Sequence, residues 1–268
     1  MTMQITRRAA LGLVTGGLAA PAFAQRRREL DVPFVPTPHS LVEQMLDLAG
    51  VTAEDYLVDL GCGDGRIAVA AGQRGARALG VDIEALRIQE AAAAARVAGV
   101  EGRVRFRRQD LFATPIHEAS VVAIYLLPDI NLRLRPKLLT ELPAGARVVS
   151  HAFDMGDWAA DAEEVHDGRR IFLWHVPAVA GGSWEVTATD GSYRLLELEQ
   201  RFQEVAGTLS GDGTVRAVVG RLRGRHLVLS AQDDGAPLAL SGTIDGADFL
   251  PDAAARSGQG GWTGRRIA

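Results

Sequence analysis

One short stretch of the chain combines the residue types and the spacing that ligand chemistry needs. Tyr56–Leu60 is apolar apart from Asp59, and three glycines then alternate with other residues up to Gly65. The apolar residues predict a buried strand, and the glycines predict a turn of bare backbone, because residues without a Cβ adopt such turns at little cost. The residues after Arg66 predict a helix, whose N-terminus would attract an anionic group of a ligand.

Further acids follow at the ends of the next two predicted strands. Residues 78–81 predict a short strand that ends at Asp82, about twenty residues beyond the glycine turn, as in a βαβ nucleoside site. A carboxylate there can accept two hydrogen bonds from the vicinal hydroxyls of a ribose, and Ile83 could pack on one face of a base. A third strand is predicted over 104–106, and Asp110 and Leu111 follow it.

The motif D-x-G-x-G-x-G over residues 59–65 resembles the first motif of class I S-adenosylmethionine (SAM) methyltransferases. The resemblance implies that the loop backbone and Asp59 hold the amino-acid moiety of SAM. It also implies that Asp110 accepts the adenine amino group while Leu111 lies against the ring. The cofactor contacts expected on these grounds are Asp59, Gly61, Cys62, Gly63, Asp64, Gly65, Asp82, Ile83, Asp110 and Leu111.

Each of these features has a simpler interpretation when it is taken alone. Asp82 could be a solvated acid at a strand end, Asp110 could cap a helix or a turn, and the glycines could form a tight turn of any α/β protein. An NAD-dependent oxidoreductase is a further alternative, but its glycine motif, G-x-G-x-x-G, has the third glycine one place later. A protein that binds SAM without catalysis is another alternative.

Composition restricts the classes of protein and of site. The chain has 268 residues, of which 47% are hydrophobic, and a formal net charge of -4. These values predict a globular protein with a sizeable core and no basic surface for nucleic acid. Cys62 is the only cysteine, so neither an intramolecular disulfide nor a cysteine metal cluster can form. The six histidines are scattered, and we predict no metal site.

The first 24 residues have the features of a signal peptide. Arg7 and Arg8 precede a short apolar run, and Ala22-Phe23-Ala24 resembles a cleavage site. The paired arginines resemble a twin-arginine (Tat) signal, which would direct a folded protein to the periplasm or outside the cell. The apolar run is shorter than the ~20 residues of a stable membrane span. The alternative is a cytoplasmic protein with a disordered tail.

Residues 25–32 predict a linker, and a proline-rich segment follows it. The Val-Pro-Thr-Pro sequence at 35–38 resembles the start of the methyltransferase domain in relatives of the ATP-synthase c-subunit lysine methyltransferases. The resemblance implies a lid over SAM, with Thr37 as a further cofactor contact. The alternative is an ordinary helix that packs on the sheet, begun by Ser40 as its N-cap and ended at Gly50.

The candidate catalytic residues follow the fourth and fifth predicted strands. The fourth strand runs over 121–128 and contains Tyr125 near its end, while the fifth, over 146–150, leads into His151 and Asp154. The carboxyl ends of these strands face the reactive sulfonium in this fold, so Tyr125, His151 and Asp154 are the catalytic candidates. For Tyr125 the alternative is a residue that closes the core. The helix between the two strands is expected to break at Pro136.

The complete prediction is a doubly wound, seven-stranded methyltransferase sheet over 33–178, with a small antiparallel β module over 183–268. Three copies of a strand–glycine–turn pattern in this module predict a meander, a curled sheet or a half barrel, with a core of aromatic residues. The module could bind a ligand or substrate, or it could cap the edge of the sheet. The predicted aromatic core is Trp184, Tyr193, Phe202, Phe249 and Trp262.

The predicted activity is transfer of a methyl group from SAM. The resemblance to the lysine methyltransferases suggests a protein lysine amine as the acceptor, but a small molecule remains open, as does the oligomeric state. A general base is needed only where the acceptor carries a proton, as a lysine ammonium does.

Overall fold

A seven-stranded sheet forms the first part of the fold. The computed structural model describes residues 34–231, 239–253 and 261–267. The strands of the sheet are β1 Tyr56–Leu60, β2 Arg77–Asp82, β3 Val104–Arg108, β4 Val121–Ile124, β5 Arg147–His151, β6 Ala162–His166 and β7 Arg169–His175. Their order is β3-β2-β1-β4-β5-β7-β6; β1 to β5 are parallel, and β7 is antiparallel to both of its neighbours. The predicted doubly wound, seven-stranded sheet is therefore confirmed.

Helices cover both faces of the sheet. They are α1 His39–Leu48, α2 Arg66–Gln73, α3 Ala85–Val97 and α4 Pro128–Glu141. The buried side chains of α1, α2 and α3 pack with Leu57 on one face, and those of α4 pack with Val58 and Leu60 on the other. This alternation of neighbouring residues of β1 between two cores follows from the two-residue period of a strand.

Two details of the helices differ from the prediction. The N-cap of α1 is Pro38, whose carbonyl accepts the amides of Leu41 and Val42, so Ser40 is not the cap. Helix α4 continues through Pro136. The missing amide of a proline weakens a helix, but Leu134 and Leu138 on either side are both fully buried, and their packing holds α4 together.

The second part of the fold is a closed, eight-stranded antiparallel barrel. The strands are β8 Gly182–Ala188, β9 Tyr193–Arg201, β10 Glu204–Gly211, β11 Thr214–Arg223, β12 His226–Ala231, β13 Ala239–Asp245, β14 Asp248–Pro251 and β15 Trp262–Arg266. The predicted meander is correct, but the curled sheet or half barrel is wrong, because β15 pairs with β8 and closes the ring.

The repeated glycines of the module explain how its strands bend. A Cβ on Gly207 would lie 1.8 Å from the carbonyl oxygen of Glu197 on the neighbouring strand, and one on Gly220 would lie 2.2 Å from that of Val228. Only glycine allows the backbones to approach so closely. Trp184, Phe249 and Trp262 fill the interior as predicted.

Two of the predicted aromatic core residues are not in the barrel interior. Tyr193 is half exposed, and Phe202 packs with the cluster around α4. They lie at opposite ends of β9, Tyr193 at its first residue and Phe202 directly after its last, and at each end a side chain can point away from the barrel interior.

The predicted domain limits stay predictions. The sheet and the barrel lie in one compact unit, Val32–Ala268, with β7 ending at His175 and β8 beginning at Gly182. The predicted signal peptide, 1–24, and linker, 25–32, lie outside the described residues. Within the described part of the chain, no helix is both long enough and apolar enough to cross a membrane.

Candidate functional site

The glycine loop leaves β1 at the carboxyl edge of the sheet and leads into α2. Gly61, Gly63 and Gly65 have φ values of 84°, 52° and 81°, all in the left-handed region that favours glycine. A Cβ on Gly61 would lie 2.7 Å from a methyl group of Leu126, so this part of the loop has no room for a side chain. The bare backbone therefore forms one wall of the candidate site.

Asp59, in β1 just before this loop, has one buried acceptor atom without a partner in the described part of the chain. The residue is 1% exposed, and its Oδ2 atom has no hydrogen-bond partner among the described residues. Burial raises its pKa to about 8, and the negative charges of Asp82 and Asp64 contribute to the rise. The backbone of Ala68 hydrogen-bonds to the carboxyl group and partly opposes this rise. A buried carboxyl group with one unpartnered oxygen suits a ligand that brings a cation, and the ammonium group of SAM is one.

Asp82 joins the glycine loop to the end of β2. Its Oδ2 atom accepts the amide of Gly63 at 3.0 Å, and its Oδ1 atom accepts the amide of Glu84 at 2.9 Å. Ile83, the next residue, is 36% exposed at the same edge of the sheet. Asp59 and Asp82, both predicted to hold SAM, therefore lie on neighbouring strands beside one loop.

The end of β3 is tied to the end of β2. The amide of Gln109 donates to the carbonyl of Asp82 at 2.9 Å. Asp110 is exposed, and its Oδ1 atom accepts the amide of Phe112 at 2.9 Å, which caps a 3-10 turn over Leu111–Ala113. The capping role considered for Asp110 is thus present in the structure, beside the tip of β2 where the adenine was expected.

The segment before α1 crosses the carboxyl edge of the sheet. A Cβ on Gly63 would lie 2.4 Å from the ring of Phe34, so that ring covers the loop. Thr37 is 2% exposed; its carbonyl accepts Arg66 Nη1 at 2.5 Å, and its Oγ1 atom is 3.2 Å from Nδ1 of His151. Helix α1 packs on the sheet, as the second interpretation expected, and the ring of Phe34 before it lies over Gly63. The contact of Thr37 with SAM stays a prediction.

Asp64 and Cys62 have local roles within the loop. Arg66 makes two hydrogen bonds to the carboxylate of Asp64, Nη2–Oδ2 at 2.5 Å and Nε–Oδ1 at 2.9 Å. Burial raises the pKa of Asp64, but the hydrogen bonds and charge of Arg66 outweigh it and bring the pKa below its usual range. The thiol of Cys62 is buried, and this burial, with the charges of Asp59 and Asp82, raises its pKa, so it stays protonated.

Tyr125 and His151 form a stacked pair at the ends of β4 and β5. Their ring centroids are 3.8 Å apart and their planes differ by 30°. His151 is 2% exposed, and burial together with the charge of Arg169 lowers its pKa to about 4. The imidazole is therefore neutral at physiological pH, and among the described residues only Thr37 contacts one of its ring nitrogens.

Asp154 is separate from this pair. Its side chain is exposed, and its Oδ1 atom accepts the amide of Gly156 at 3.0 Å. The structure therefore brings together two of the three catalytic candidates, and Asp154 forms a local turn in the loop that follows them.

Asn131, which was not among the predicted site residues, holds that loop. Asn131 is fully buried, and its Nδ2 atom donates to the carbonyls of Phe153 at 3.1 Å and Asp154 at 3.3 Å. Ser150, also fully buried, donates to the same carbonyl of Phe153 at 2.7 Å. The signal was available: a polar residue at position 131 interrupts the apolar stripe of Ile130, Leu134 and Leu138 on α4.

Comparison with known proteins identifies the family. A model of the ANTKMT methyltransferase domain matches residues 59–162. A protein-lysine N-methyltransferase of Saccharolobus islandicus is 44% identical over 140 residues, which cover 51% of this chain and 87% of that protein. The adenine nucleotide translocase lysine N-methyltransferase of Mus musculus is 37% identical over 160 residues, 59% of this chain and 69% of that protein. The chain belongs to the ANTKMT methyltransferase family.

A solved structure agrees with this family assignment. An RNA methyltransferase from Salinibacter ruber, in complex with S-adenosyl-L-homocysteine (SAH), is 46% identical with a TM-score of 0.53. The match covers 53% of this chain and 94% of that one. The protein is a SAM-dependent methyltransferase, which confirms the predicted cofactor and reaction and leaves no support for the NAD-dependent alternative. The barrel lies beyond the residues that the family model matches.

Proposed function

We propose that this member of the ANTKMT methyltransferase family methylates the ε-amino group of a lysine in a protein. The observation that carries the proposal is the neutral, buried His151 stacked on Tyr125 at the ends of β4 and β5, in contact with Thr37 of the segment before α1. Additional support comes from the relatives that are lysine methyltransferases of proteins.

The residues proposed to hold SAM surround the glycine loop. The carboxyl group of Asp59 and the loop backbone would bind the amino-acid moiety, and Asp82 would bind the ribose. Ile83 and Leu111 would enclose the adenine, with Asp110 toward its amino group. Thr37 belongs to the segment that covers the loop. When bound, SAM supplies a methyl group already activated by the sulfonium.

The reaction requires a neutral amine in line with the methyl group. A lysine ammonium must first release one proton to solvent water, which frees its nitrogen lone pair to accept the methyl group that SAM would supply, with SAH as the leaving group. A desolvated site favours the neutral amine, because burial lowers the pKa of a lysine. With its own pKa near 4, His151 is suited to accept a hydrogen bond from the amine and is a poor carrier of its proton. Such positioning can contribute ~7–11 kcal/mol.

The proposal can be tested before the acceptor is identified. Purified protein is incubated with methyl-labelled SAM and separated membrane, soluble-protein, RNA and small-molecule fractions of the source cells. We expect label in a protein fraction that yields methyl-lysine after hydrolysis. Label in RNA or in a small molecule would contradict the lysine acceptor, and SAH binding without any labelled product would support a non-catalytic SAM-binding protein.

Variants of the stacked pair test its role in that assay. We expect Tyr125→Phe and His151→Asn to lower the rate of label transfer by about tenfold or more, since both groups orient the amine. Their affinity for SAH should remain within about threefold of the original protein, because neither group is proposed to bind the cofactor. A loss of SAH binding would instead assign the pair a structural role. Asp154→Asn is the third variant, and an unchanged rate would remove Asp154 from the catalytic candidates.

We propose that residues 1–24 direct the protein to the periplasm or outside the cell through a twin-arginine signal. The support is the order of charged, apolar and small residues before Gln25. The test compares the N-terminal residue of the native protein in cell fractions with that of the double variant Arg7→Lys, Arg8→Lys. We expect an N-terminus at Gln25 outside the cytosol, and cytosolic retention of the double variant. An intact Met1 in the cytosol would support the cytoplasmic alternative.

A further inference from the structure

One hairpin of the barrel contacts the loop that follows β5. We call residues 152–161 the post-β5 loop, and the hairpin joins β9 to β10 through Phe202 and Gln203. We propose that Phe202 and Gln203 are positioning residues for methyl transfer: they hold the post-β5 loop, and this loop holds His151 against Tyr125. The inference rests on the proposed function of that pair.

Phe202 adopts a backbone conformation that a bulky side chain disfavours. Its φ is 54°, in the left-handed region, where glycine carries no strain. The ring stacks on Trp158 of the post-β5 loop, with centroids 6.3 Å apart and planes that differ by 24°. The guanidinium of Arg135 lies over the same ring, 5.3 Å from its centroid. A hairpin turn alone needs no phenylalanine here, so these contacts are what the strained residue contributes.

Other contacts from the barrel hold the same loop. Gln203 is 2% exposed, and its Nε2 atom donates to the carbonyl of Ala159 at 2.6 Å. Arg201 forms an ion pair with Asp157 at 2.6 Å, which is exposed and contributes little by itself. Together with the ring of Phe202, these contacts hold three consecutive residues of the loop, from 157 to 159.

The inner end of the loop is coupled to the stacked pair. Ala152 has a φ of 69°, and the amide of Phe153 donates back to the carbonyl of His151 at 2.9 Å, which forms a tight turn directly after the histidine. Asn131 and Ser150 fix the carbonyl of Phe153. A shift of the loop would therefore move the backbone that carries His151.

These contacts favour a third role for the barrel, which is to hold the post-β5 loop in place. This role differs from binding a ligand and from capping the sheet edge. The barrel interior is one apolar cluster, and the hairpin contacts described above lie outside it, on the post-β5 loop. A cap on the sheet edge would not need a strained aromatic residue against the loop that ends beside His151. The tip of the β9–β10 hairpin therefore helps to order the part of the site where the methyl acceptor would bind.

The test uses a substitution that relieves strain while it removes the contact. Phe202→Gly suits the turn better but deletes the ring, so a folded barrel with a loosened loop is expected. Phe202→Tyr keeps the ring and is the conservative rescue. The matched control is Asp212→Gly, at the tip of the β10–β11 hairpin, where Asp212 has a similar φ of 52°.

Three readouts do not depend on the acceptor. For Phe202→Gly in the full chain, we expect amide hydrogen exchange in residues 153–161 to accelerate by about tenfold or more. The pKa of His151, measured by NMR titration, should rise by about one unit or more as water reaches the ring. Affinity for SAH should stay within about twofold, and Phe202→Tyr and Asp212→Gly should match the original protein in every readout.

With the labelled acceptor in hand, the rate of label transfer by Phe202→Gly should fall by about fivefold or more at saturating SAM. An unchanged exchange rate in the loop would overturn the inference, and so would faster exchange with an unchanged His151 pKa and transfer rate. If the original protein labels no protein at all, the proposed function fails, while hydrogen exchange and the His151 titration still decide whether the hairpin holds the pair. Gln203→Ala provides an independent second variant with the same expected direction.

Discussion

Asp59 combines nearly complete burial with one carboxyl oxygen, Oδ2, that has no hydrogen-bond partner among the described residues. Between about pH 4, the usual pKa of an aspartate, and about pH 8, its pKa in the fold, the folded chain binds more protons than the unfolded chain. The free energy of unfolding contributed by this residue therefore falls as the pH rises through that window. An ammonium group beside Oδ2 would offset the cost of burying the negative charge. The same residue that lowers stability in the free protein would therefore favour binding of a cation.

The first prediction concerns Asp59→Asn. We expect its free energy of unfolding at pH 8 to rise by about 1–3 kcal/mol, because the unpartnered charge is gone. We expect its affinity for SAH to fall by about tenfold or more, since the amide lacks the negative charge that strengthens a hydrogen bond from an ammonium group. Denaturant unfolding and calorimetry measure the two effects. The exposed Asp47→Asn is the control, and unchanged SAH affinity in Asp59→Asn would contradict the assignment.

The second prediction concerns the acid sensitivity caused by His151. Its pKa is lowered from 6.5 to about 4, so the folded chain binds fewer protons than the unfolded chain between these values. Stability should therefore fall as the pH drops from 6.5 toward 4. We expect His151→Asn to reduce this loss by on the order of 1–3 kcal/mol, measured by denaturant unfolding at several pH values. His117→Asn, at an exposed position, should leave the acid profile unchanged; a similar change in both variants would contradict the prediction.

At the scale of elements, a buried ion pair joins several chain segments at the amino end of the sheet. Asp55 accepts hydrogen bonds from Ser120 at 2.7 Å, from the amide of Thr52 at 2.8 Å and from the guanidinium of Arg147. Arg147 also donates to the carbonyl of Ala49 at 2.6 Å. This cluster ties the end of α1 to the starts of β1, β4 and β5, on the opposite edge from the glycine loop.

The third prediction concerns Asp55→Asn. Burial raises the pKa of Asp55, but Ser120, Thr52 and Arg147 together bring it below its ordinary value, so its contribution to stability is present above about pH 4 and is lost as the pH falls through its folded pKa. We expect the substitution to lower the free energy of unfolding at pH 7 by about 2–4 kcal/mol. Thermal unfolding measures this, and SAH affinity below the melting temperature should be unchanged. Weaker SAH binding would show that the cluster also shapes the site.

At the scale of the whole molecule, the barrel docks closely on the sheet. The turn between β11 and β12 contains Gly224, whose carbonyl accepts the amide of Ala178 at 2.8 Å. A Cβ on Gly224 would lie 3.0 Å from Cα of Gly145, at the base of β5. This close approach is separate from the hairpin that reaches the post-β5 loop, so the barrel contacts the methyltransferase domain in more than one place.

The fourth prediction compares two glycines with the same backbone angle. Gly224 and Gly246 both have a φ of 60°, but a Cβ on Gly246 would meet no atom within 4 Å. Alanine at either position introduces the same backbone strain, so the difference between the variants measures the crowding at the junction. We expect Gly224→Ala to lower the free energy of unfolding by about 1–3 kcal/mol more than Gly246→Ala. Equal losses in denaturant unfolding would mean that the junction is not tightly packed.

Local patterns in the sequence were sufficient to predict the seven-stranded sheet and the glycine loop. The glycines after Asp59, the acid at Asp82 and the alternating apolar strands each depend on neighbouring residues, and right-handed crossovers then bring the strand ends to one edge. Contacts between distant residues decided the rest. Thr37 meets His151 across 114 positions, and closure of the barrel depends on the pairing of its first and last strands. Phe202 illustrates the physical reason. Its aromatic side chain predicted a place in the barrel core, but the left-handed turn directs the ring onto Trp158. Because Trp158 is distant in the sequence, no local pattern could predict this contact.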